Sequence, residues 1–494
     1  MNNKLKLYIP ILLLVSACQL SAQNMMSRQV AEPRAANAID IEYYSKKKYL
    51  NAAVTVFGLN MGVWAFDRYA LNAEFAKINA TTIKNNFKRG FVYDNDQIGT
   101  NMFLHPYHGN LYYNAARSNG LNYWESGAFA LGGSAMWEMF MENEYPSTND
   151  IIATPVGGVL LGEIFHRSSD LILDDRVTGR QRVGREIAAG LINPMRAITR
   201  LVNGDAWTKR STSGKQFGVP DVSVEIGVGV RALELKDPII DKGVGAAVDI
   251  DVEYGDRFSP GGDNPYDYFT LRTNLNIHSS QPMLSQLNIL GRLWGTEIYD
   301  SEKGFLNMGV YQHFDYYDSD TISKQSNKIP YKFCTPASFG VGIMHQSKRY
   351  DDWAFNSYAH VNGIILGGAL SDYYLVENRN YNLASGFSIK VGGSIAYKDV
   401  IGFALNYESY RMFTWKGYPQ DVSVEDIDGQ SGNYQGDHSQ AILHAVNAKA
   451  SLKLYSQLYL TGAYYTYSRD TNYKFYKNVY SLTSEGRLLL TYKF

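Results

Sequence analysis

Cysteine is nearly absent from this chain of 494 residues, which has two, Cys18 and Cys334. Cys18 lies in a leader-like start, so the mature chain keeps one thiol. That excludes an internal disulfide and a cysteine-based metal site. Beyond the leader there are no runs of about 20 apolar residues, and a bundle of membrane-crossing helices needs several. Charge is balanced as well, with 47 Lys and Arg against 48 Asp and Glu. No basic excess therefore points to nucleic acid. No Gly-x-Ser-x-Gly elbow occurs, and the TSGK at 212–215 lacks the first glycine of a phosphate loop.

What is present is aromatic and periodic. The chain has 38 Tyr and 7 Trp, residues that girdle membrane–water interfaces. Its hydrophobic content of 45% suits a barrel, whose lipid-facing and lumen-facing residues alternate and so escape hydropathy plots. In the last fourteen residues, SLTSEGRLLLTYKF, Leu482, Leu488, Leu490 and Tyr492 fall on one side. Thr483, Glu485, Arg487, Leu489, Thr491 and Lys493 fall on the other, mostly polar side. A period of two with unlike faces is a strand between two environments. Similar alternation starts at Val222 and recurs at Ala246–Tyr254, Phe269–Ile277, Phe387–Tyr397 and Ile401–Glu408. Weaker versions lie at 286–298, 305–316, 338–346 and 353–365, and two more at 440–454 and 457–468.

These segments predict a membrane β-barrel of about twelve antiparallel strands over residues 219–494, each long enough to cross tilted. The polar faces carry both charge signs: Glu225, Arg231, Asp249, Asp251, Glu253, Arg272, Arg292, Lys390, Glu408, Lys449, Glu485 and Arg487. On a closed interior these pair across or line water. Counting back from Phe494 makes every second connection periplasmic and short, near 455–457, 398–400, 348–352 and 299–304. The outward connections at 470–480, 414–439, 367–383 and 317–337 are long. Asp256–Asp267 is the exception, a longer periplasmic connection.

The start reads as a signal peptide over residues 1–22. Lys4 and Lys6 precede the apolar Leu7–Val15, and cleavage falls after Ala22. Val15–Cys18 also fits a lipobox that would leave Cys18 lipidated. Simple cleavage is preferred, since a barrel needs no lipid anchor. The final strand with its terminal Phe494 resembles the closing strand of bacterial outer-membrane barrels. That resemblance implies outer-membrane lipid around the protein and recognition by the barrel assembly machinery.

Residues 39–205 carry helix signals instead and predict an α-helical N-terminal domain, joined by a linker at 206–218. Tyr49–Tyr69 is apolar but interrupted at Asn60, too short and broken to span a bilayer with assurance. Further helical runs are Asn110–Asn143 with breaks at Gly120 and around Gly132-Gly133, Pro155–Leu173, and Arg180–Val202 bent at Pro194. The glycines in these runs cost about 1 kcal/mol each relative to Ala, which predicts close helix packing.

Several residues here could carry chemistry. Ser134, Glu138 and Glu142 recur every four positions, Glu163 and Arg167 are four apart, and His105 and His108 bracket Pro106-Tyr107. One reading is a polar active site with a histidine base and a glutamate acid or metal ligand. The preferred one is a structural set in which buried carboxylates and arginines, Arg117, Arg196 and Arg200 among them, survive by pairing. No cofactor and no metal is expected. The stretches NMFLHPYHGNLYYNAARSNG and GGSAMWEMFMENEYPSTNDIIATPVGGVLLGEIFHR resemble the bacterial family catalogued as domain of unknown function 3943, across about 95–205. The resemblance implies an exported protein of Gram-negative bacteria and supplies no activity. Two functions follow as expectations. The first is a non-enzymatic envelope, binding or narrow-channel protein with the helices as plug or periplasmic domain. The alternative is a lipid- or envelope-modifying hydrolase using the His and Glu residues of the helices.

Overall fold

The computed structural model describes residues 43–93, 96–235, 244–259, 261, 264–277, 282–319, 329–347, 352–373, 379–420 and 434–494. The leader, Cys18 and His278 lie outside the described residues. The chain divides into two compact units. One holds the helices (residues up to Phe91, and Leu104–Pro220), and the other holds Val92–Phe103 with Asp221–Phe494.

The second unit is a closed barrel of twelve antiparallel strands in which each strand pairs with its sequence neighbours and β1 pairs with β12. The strands are β1 (Val222–Leu235), β2 (Val244–Tyr254), β3 (Phe269–Ile277), β4 (Leu284–Asp300), β5 (Gly304–Asp318) and β6 (Lys332–Ser347). Then come β7 (Trp353–Leu370), β8 (Tyr381–Tyr397), β9 (Ile401–Thr414), β10 (Ser439–Tyr455), β11 (Leu458–Tyr473) and β12 (Val479–Lys493). The expected alternation holds on the last strand. Thr483, Glu485, Arg487, Leu489 and Thr491 are buried, while Leu488, Leu490 and Tyr492 are exposed. Val228, Val230, Phe403 and Leu405 continue that apolar exterior.

Strands β5 to β8 run further outward than their sequence pattern indicated. The last eight residues of β5, the first seven of β6, the last five of β7 and the first four of β8 are all buried. Here both faces are covered, so the apolar–polar contrast that marks a strand disappears. Residues Val92–Phe103 supply contacts on the face turned away from the interior. The Phe103 ring packs edge-on to Phe314 and Tyr316. The Asn101 amide donates to the Tyr381 hydroxyl at 2.7 Å. The expected long connection at 470–480 is shorter than read, because β11 and β12 continue to Tyr473 and from Val479.

The first unit has seven helices of ten or more residues among the described residues. They are α1 (Tyr49–Tyr69), α2 (Ala80–Arg89), α3 (His105–Arg117), α4 (Tyr123–Phe140), α5 (Asp150–Ile172), α6 (Gly179–Ile192) and α7 (Pro194–Asn203). A π-helical turn, Thr100–Leu104, precedes α3. Asn60 does not break α1. Its buried amide donates to the Gly133 carbonyl at 3.1 Å and accepts from the Tyr112 hydroxyl, so its polarity is satisfied sideways. Alone among the described helices, α1 is long and apolar enough to cross a membrane.

Gly132-Gly133 is likewise no break, since α4 runs through it. The glycines act where close packing was expected. A Cβ on Gly109 would sit 1.7 Å from the Thr154 carbonyl oxygen, and one on Gly158 2.4 Å from the Gly109 carbonyl carbon. Thus α3 and α5 cross backbone to backbone. Gly132 faces open space and takes no part.

Candidate functional site

The polar residues singled out in the helices divide into local roles. Glu163, fully buried on α5, accepts from Arg117 Nε and Arg167 Nε, each at 2.9 Å, and from the Tyr113 hydroxyl at 2.6 Å. It therefore ties α3 to α5. His105 Nε2 lies 3.3 Å from Asp150 Oδ1. The His108 ring packs against Tyr112 and Trp137, at 4.6 and 5.0 Å between centroids. Glu138 accepts from the Ser147 backbone N–H at 2.7 Å, just ahead of α5. Ser134 is buried on the same face. Glu142 lies beyond the end of α4, so the three-residue face read from spacing holds for two; it accepts from the Trp137 indole.

Asp170 with Arg196 at 2.6 Å, and Asp175 with Arg182 at 2.8 Å and Arg200 at 2.6 Å, extend the ionic interior. Among the described residues no three His, Cys, Asp or Glu side chains are arranged to hold a metal ion.

The barrel interior is built in three layers. All twelve charged positions read from the strand faces carry ion pairs. On the closing side Glu485 pairs with Arg231 at 2.5 Å and with Arg487 at 2.6 Å, and Arg487 also pairs with Asp249. Deeper across the bore, Lys390 meets Asp315 at 2.6 Å and Glu408 at 3.9 Å. Lys449 meets Asp251 at 2.8 Å, Arg272 the same carboxylate at 3.8 Å, and Arg257 meets Glu253 at 3.0 Å. Arg292 with Asp267 at 2.8 Å and Lys493 with Glu225 at 2.7 Å complete the set.

Outward of this ionic layer the bore fills with apolar groups and tyrosines, including Tyr317, Tyr331, Tyr410, Tyr467, Met412 and Leu443. Two connections are fastened there. Pro330, ahead of β6, accepts through its carbonyl from Arg469 Nε at 2.7 Å and from Ser481 Oγ at 2.5 Å, on β11 and β12 at the far side of the ring. Asp372, after β7, receives both Arg469 Nη atoms at 2.6 and 2.8 Å. Arg469 is the pin for both.

On the other side, where the short turns and Phe494 lie, the bore opens into a chamber of about 250 Å³ lined by Asn274, Asn356, Tyr358, Asn406, Asn447 and charged neighbours. A further space of about 290 Å³ adjoins Ser394, Thr461 and Thr491.

Asp437, just before β10, belongs to the outward loops. It accepts from Ser371 Oγ at 2.5 Å. Burial above all, and nearby Asp372, raise its carboxyl from 3.8 to about 6, against the hydrogen bonds that lower it. A raised folded-state pKa means that folding favours the proton. This contribution is full below pH 3.8 and is lost as pH rises through about 6. Amide exchange around Ser371 and Asn382 should therefore quicken from pH 4 to 6.5, beyond the intrinsic rate, and Asp437→Asn should flatten that change. An unchanged profile in the variant would assign the dependence elsewhere.

Periodicity missed Asp315, Arg257, Asp267, Asp372 and Arg469 as parts of this interior. Asp315 shares a strand face with His313 and Tyr317, two residues away on either side in one of the weakly patterned strands, so that signal was present. Arg257, Asp267 and Asp372 lie outside the strands, where no period applies.

Among solved structures, the NanC porin is 9% identical over 55% of this chain and 99% of its own, with a TM-score of 0.27. OmpT of Vibrio cholerae is 9% identical over 56% and 100%, with a TM-score of 0.23. The toluene transporter TodX of Pseudomonas putida is 10% identical over 56% and 91%, with a TM-score of 0.22. The barrel fold rests on the strand pairing itself. No curated protein sequence matches. Residues 90–195 match the family model described as Domain of unknown function (DUF3943). The helical stretch carrying the HPYHG, AAR and PSTND motifs is thus the part of the chain that this family model matches, in one chain with a closed twelve-strand barrel.

Proposed function

We propose that the protein is a non-enzymatic outer-membrane β-barrel that binds a small, neutral, polyhydroxylated solute from the periplasmic side. The carrying observation is the amide-lined chamber at the short-turn end, backed by an interior that ion pairs and tyrosines fill. An outer-membrane location is supported by the apolar exterior of the strands around a charged interior, an arrangement suited to lipid outside.

The chamber's acids are matched by bases, so its wall offers hydrogen bonds rather than net charge. The side-chain oxygens of Asn356 and Asn447 are buried without a hydrogen-bond partner among the described residues. Buried acceptors of this kind are satisfied by donors such as hydroxyl groups. A helix is about 10 Å across, and an interior filled by its own side chains gives little support to a helical plug. The glutamates of the helical unit, engaged with arginines, backbone and indole groups, favour the structural role over the hydrolase.

The test is calorimetric titration of the refolded full chain with a panel of neutral disaccharides. Saturable binding is expected, weakened at least tenfold by Ser394→Trp, which fills the chamber mouth. Envelope lipids of a deletion strain, compared by mass spectrometry, should stay unchanged. No binding by any disaccharide, together with altered lipids, would favour the hydrolase.

A further inference from the structure

Three helices of the helical unit turn large apolar side chains outward, while its interior holds the paired charges of Glu163, Asp170 and Asp175 with their arginines beside small apolar clusters such as Ile172, Leu173, Ala189 and Ile192. On α7, Arg196, Thr199 and Arg200 are buried while Ile198, Leu201 and Val202 are exposed, Val202 to 80%. The neighbouring α6 buries Arg182 and exposes Val183, Ile187 and Leu191. At the other end of the unit's sequence, α1 buries only Ala52, Val56 and Asn60. It exposes Leu50, Val54, Phe57 and Phe66, with charges only at its ends, Lys46–Lys48 and Asp67-Arg68.

Scattered exposed apolar residues are ordinary on a water-soluble surface, but whole helix faces are not. A single protein partner would ask for one patch, whereas α1 packs on α3 and α4, and α6 packs on α5 with α7 beside it, so the faces lie on separate groups of helices. An apolar exterior around fully paired buried charges is the arrangement that lipid demands. At about 1.5 Å per residue, the 21 residues of α1 reach roughly the thickness of the hydrocarbon layer.

We infer that the helical unit is itself embedded in the bilayer, with lipid acyl chains against the exposed faces of α1, α6 and α7. The barrel's own exterior is apolar as well, with Val228, Leu488 and Leu490 exposed. This goes beyond the solute-binding reading and does not depend on it.

Nitroxide accessibility in the full chain tests the inference. Spin labels are placed by Val54→Cys, Ile187→Cys and Val202→Cys in a Cys334→Ala background reconstituted into phosphatidylcholine vesicles. Leu488→Cys serves as the barrel's lipid-facing reference and Lys209→Cys as the water reference. Proper folding of each variant is checked by its gel mobility with and without heating. Labels at the three helical sites should collide with oxygen several-fold more than with a water-soluble nickel chelate, as at Leu488. Collision with the nickel chelate as at Lys209 would overturn the inference. Shielding from both reagents would also overturn it, because protein would then cover these faces. If Leu488 alone reports water, the inference stands and the outer-membrane reading of the barrel fails.

Discussion

Replacing Arg487 by methionine is expected to cost the barrel about 3–5 kcal/mol, the scale for removing one partner of a buried ion pair. Arg487 stands on β12 with its side chain fully buried, and it joins Glu485 on its own strand to Asp249 on β2. Its second Nη also donates to Asn276 on β3 at 3.0 Å. The chain closes into a ring only through β1 and β12, and Arg487 reaches across β1 to hold that seam. Without it Glu485 keeps Arg231, whereas Asp249 keeps the Tyr465 hydroxyl at 3.0 Å and no directly paired cation among the described residues. Methionine preserves much of the volume, so the loss reports the uncompensated charge. Urea unfolding of the refolded protein, followed by gel mobility, gives the magnitude. Adding Asp249→Leu should restore most of it, because removing both partners of a buried pair is often close to neutral. A single variant as stable as wild type would show that the pairs are ornamental to closure.

In the helical unit the corresponding residue is Glu163. Glu163→Leu leaves Arg117 and Arg167 buried without their carboxylate and should destabilise the unit by about 3–5 kcal/mol. Glu163→Gln keeps the shape and one acceptor, so about 1–3 kcal/mol is expected, near the cost of an impaired buried hydrogen bond. Thermal melting followed by helical circular dichroism orders the two: wild type, then Gln, then Leu. A catalytic carboxylate would behave otherwise. The Gln variant would then lose a lipid-modifying activity while melting like wild type.

The strands were legible in the sequence wherever one face met an apolar medium and the other a charged interior. The last strand shows this best, with Leu488 and Leu490 outside and Glu485 and Arg487 inside. The outward halves of β5 to β8 were poorly legible because both faces are buried, and burial on both sides removes the alternation that the reading depends on. Asn60 looked like a break because a lone polar residue in an apolar run carries no sign of its partners, Gly133 and Tyr112, from distant helices. The stretch 206–218 read as a polar linker without periodicity. In the structure the Gln216 N–H donates to Asp170 at 3.0 Å, and Phe217 lies 3.8 Å beneath the Arg167 guanidinium, so it packs on α5. Composition records the flexible residues of such a segment and not the contacts that hold it.

Among the candidate residues, the spacing of Glu163 and Arg167 gave their pairing directly, since four residues is one helical turn. The second arginine of that site, Arg117, comes from α3 and leaves no local trace. The run Arg180–Val202 was read as helical and bent at Pro194, without a view of which face turned inward. Only burial in the folded unit shows that its charged side faces inward.

The proposed solute-binding role needs an interior that the side chains close at its outward end, as Arg469, Pro330 and Asp372 do among the described residues, and not a through-pore. Conductance of the purified full chain in planar bilayers tests it most directly. Wild type should give no resolvable steps in molar salt at neutral pH, and Arg469→Ala, which unpins Pro330 and Asp372, should give them. Large, steady, voltage-independent steps from the wild-type protein would contradict the claim.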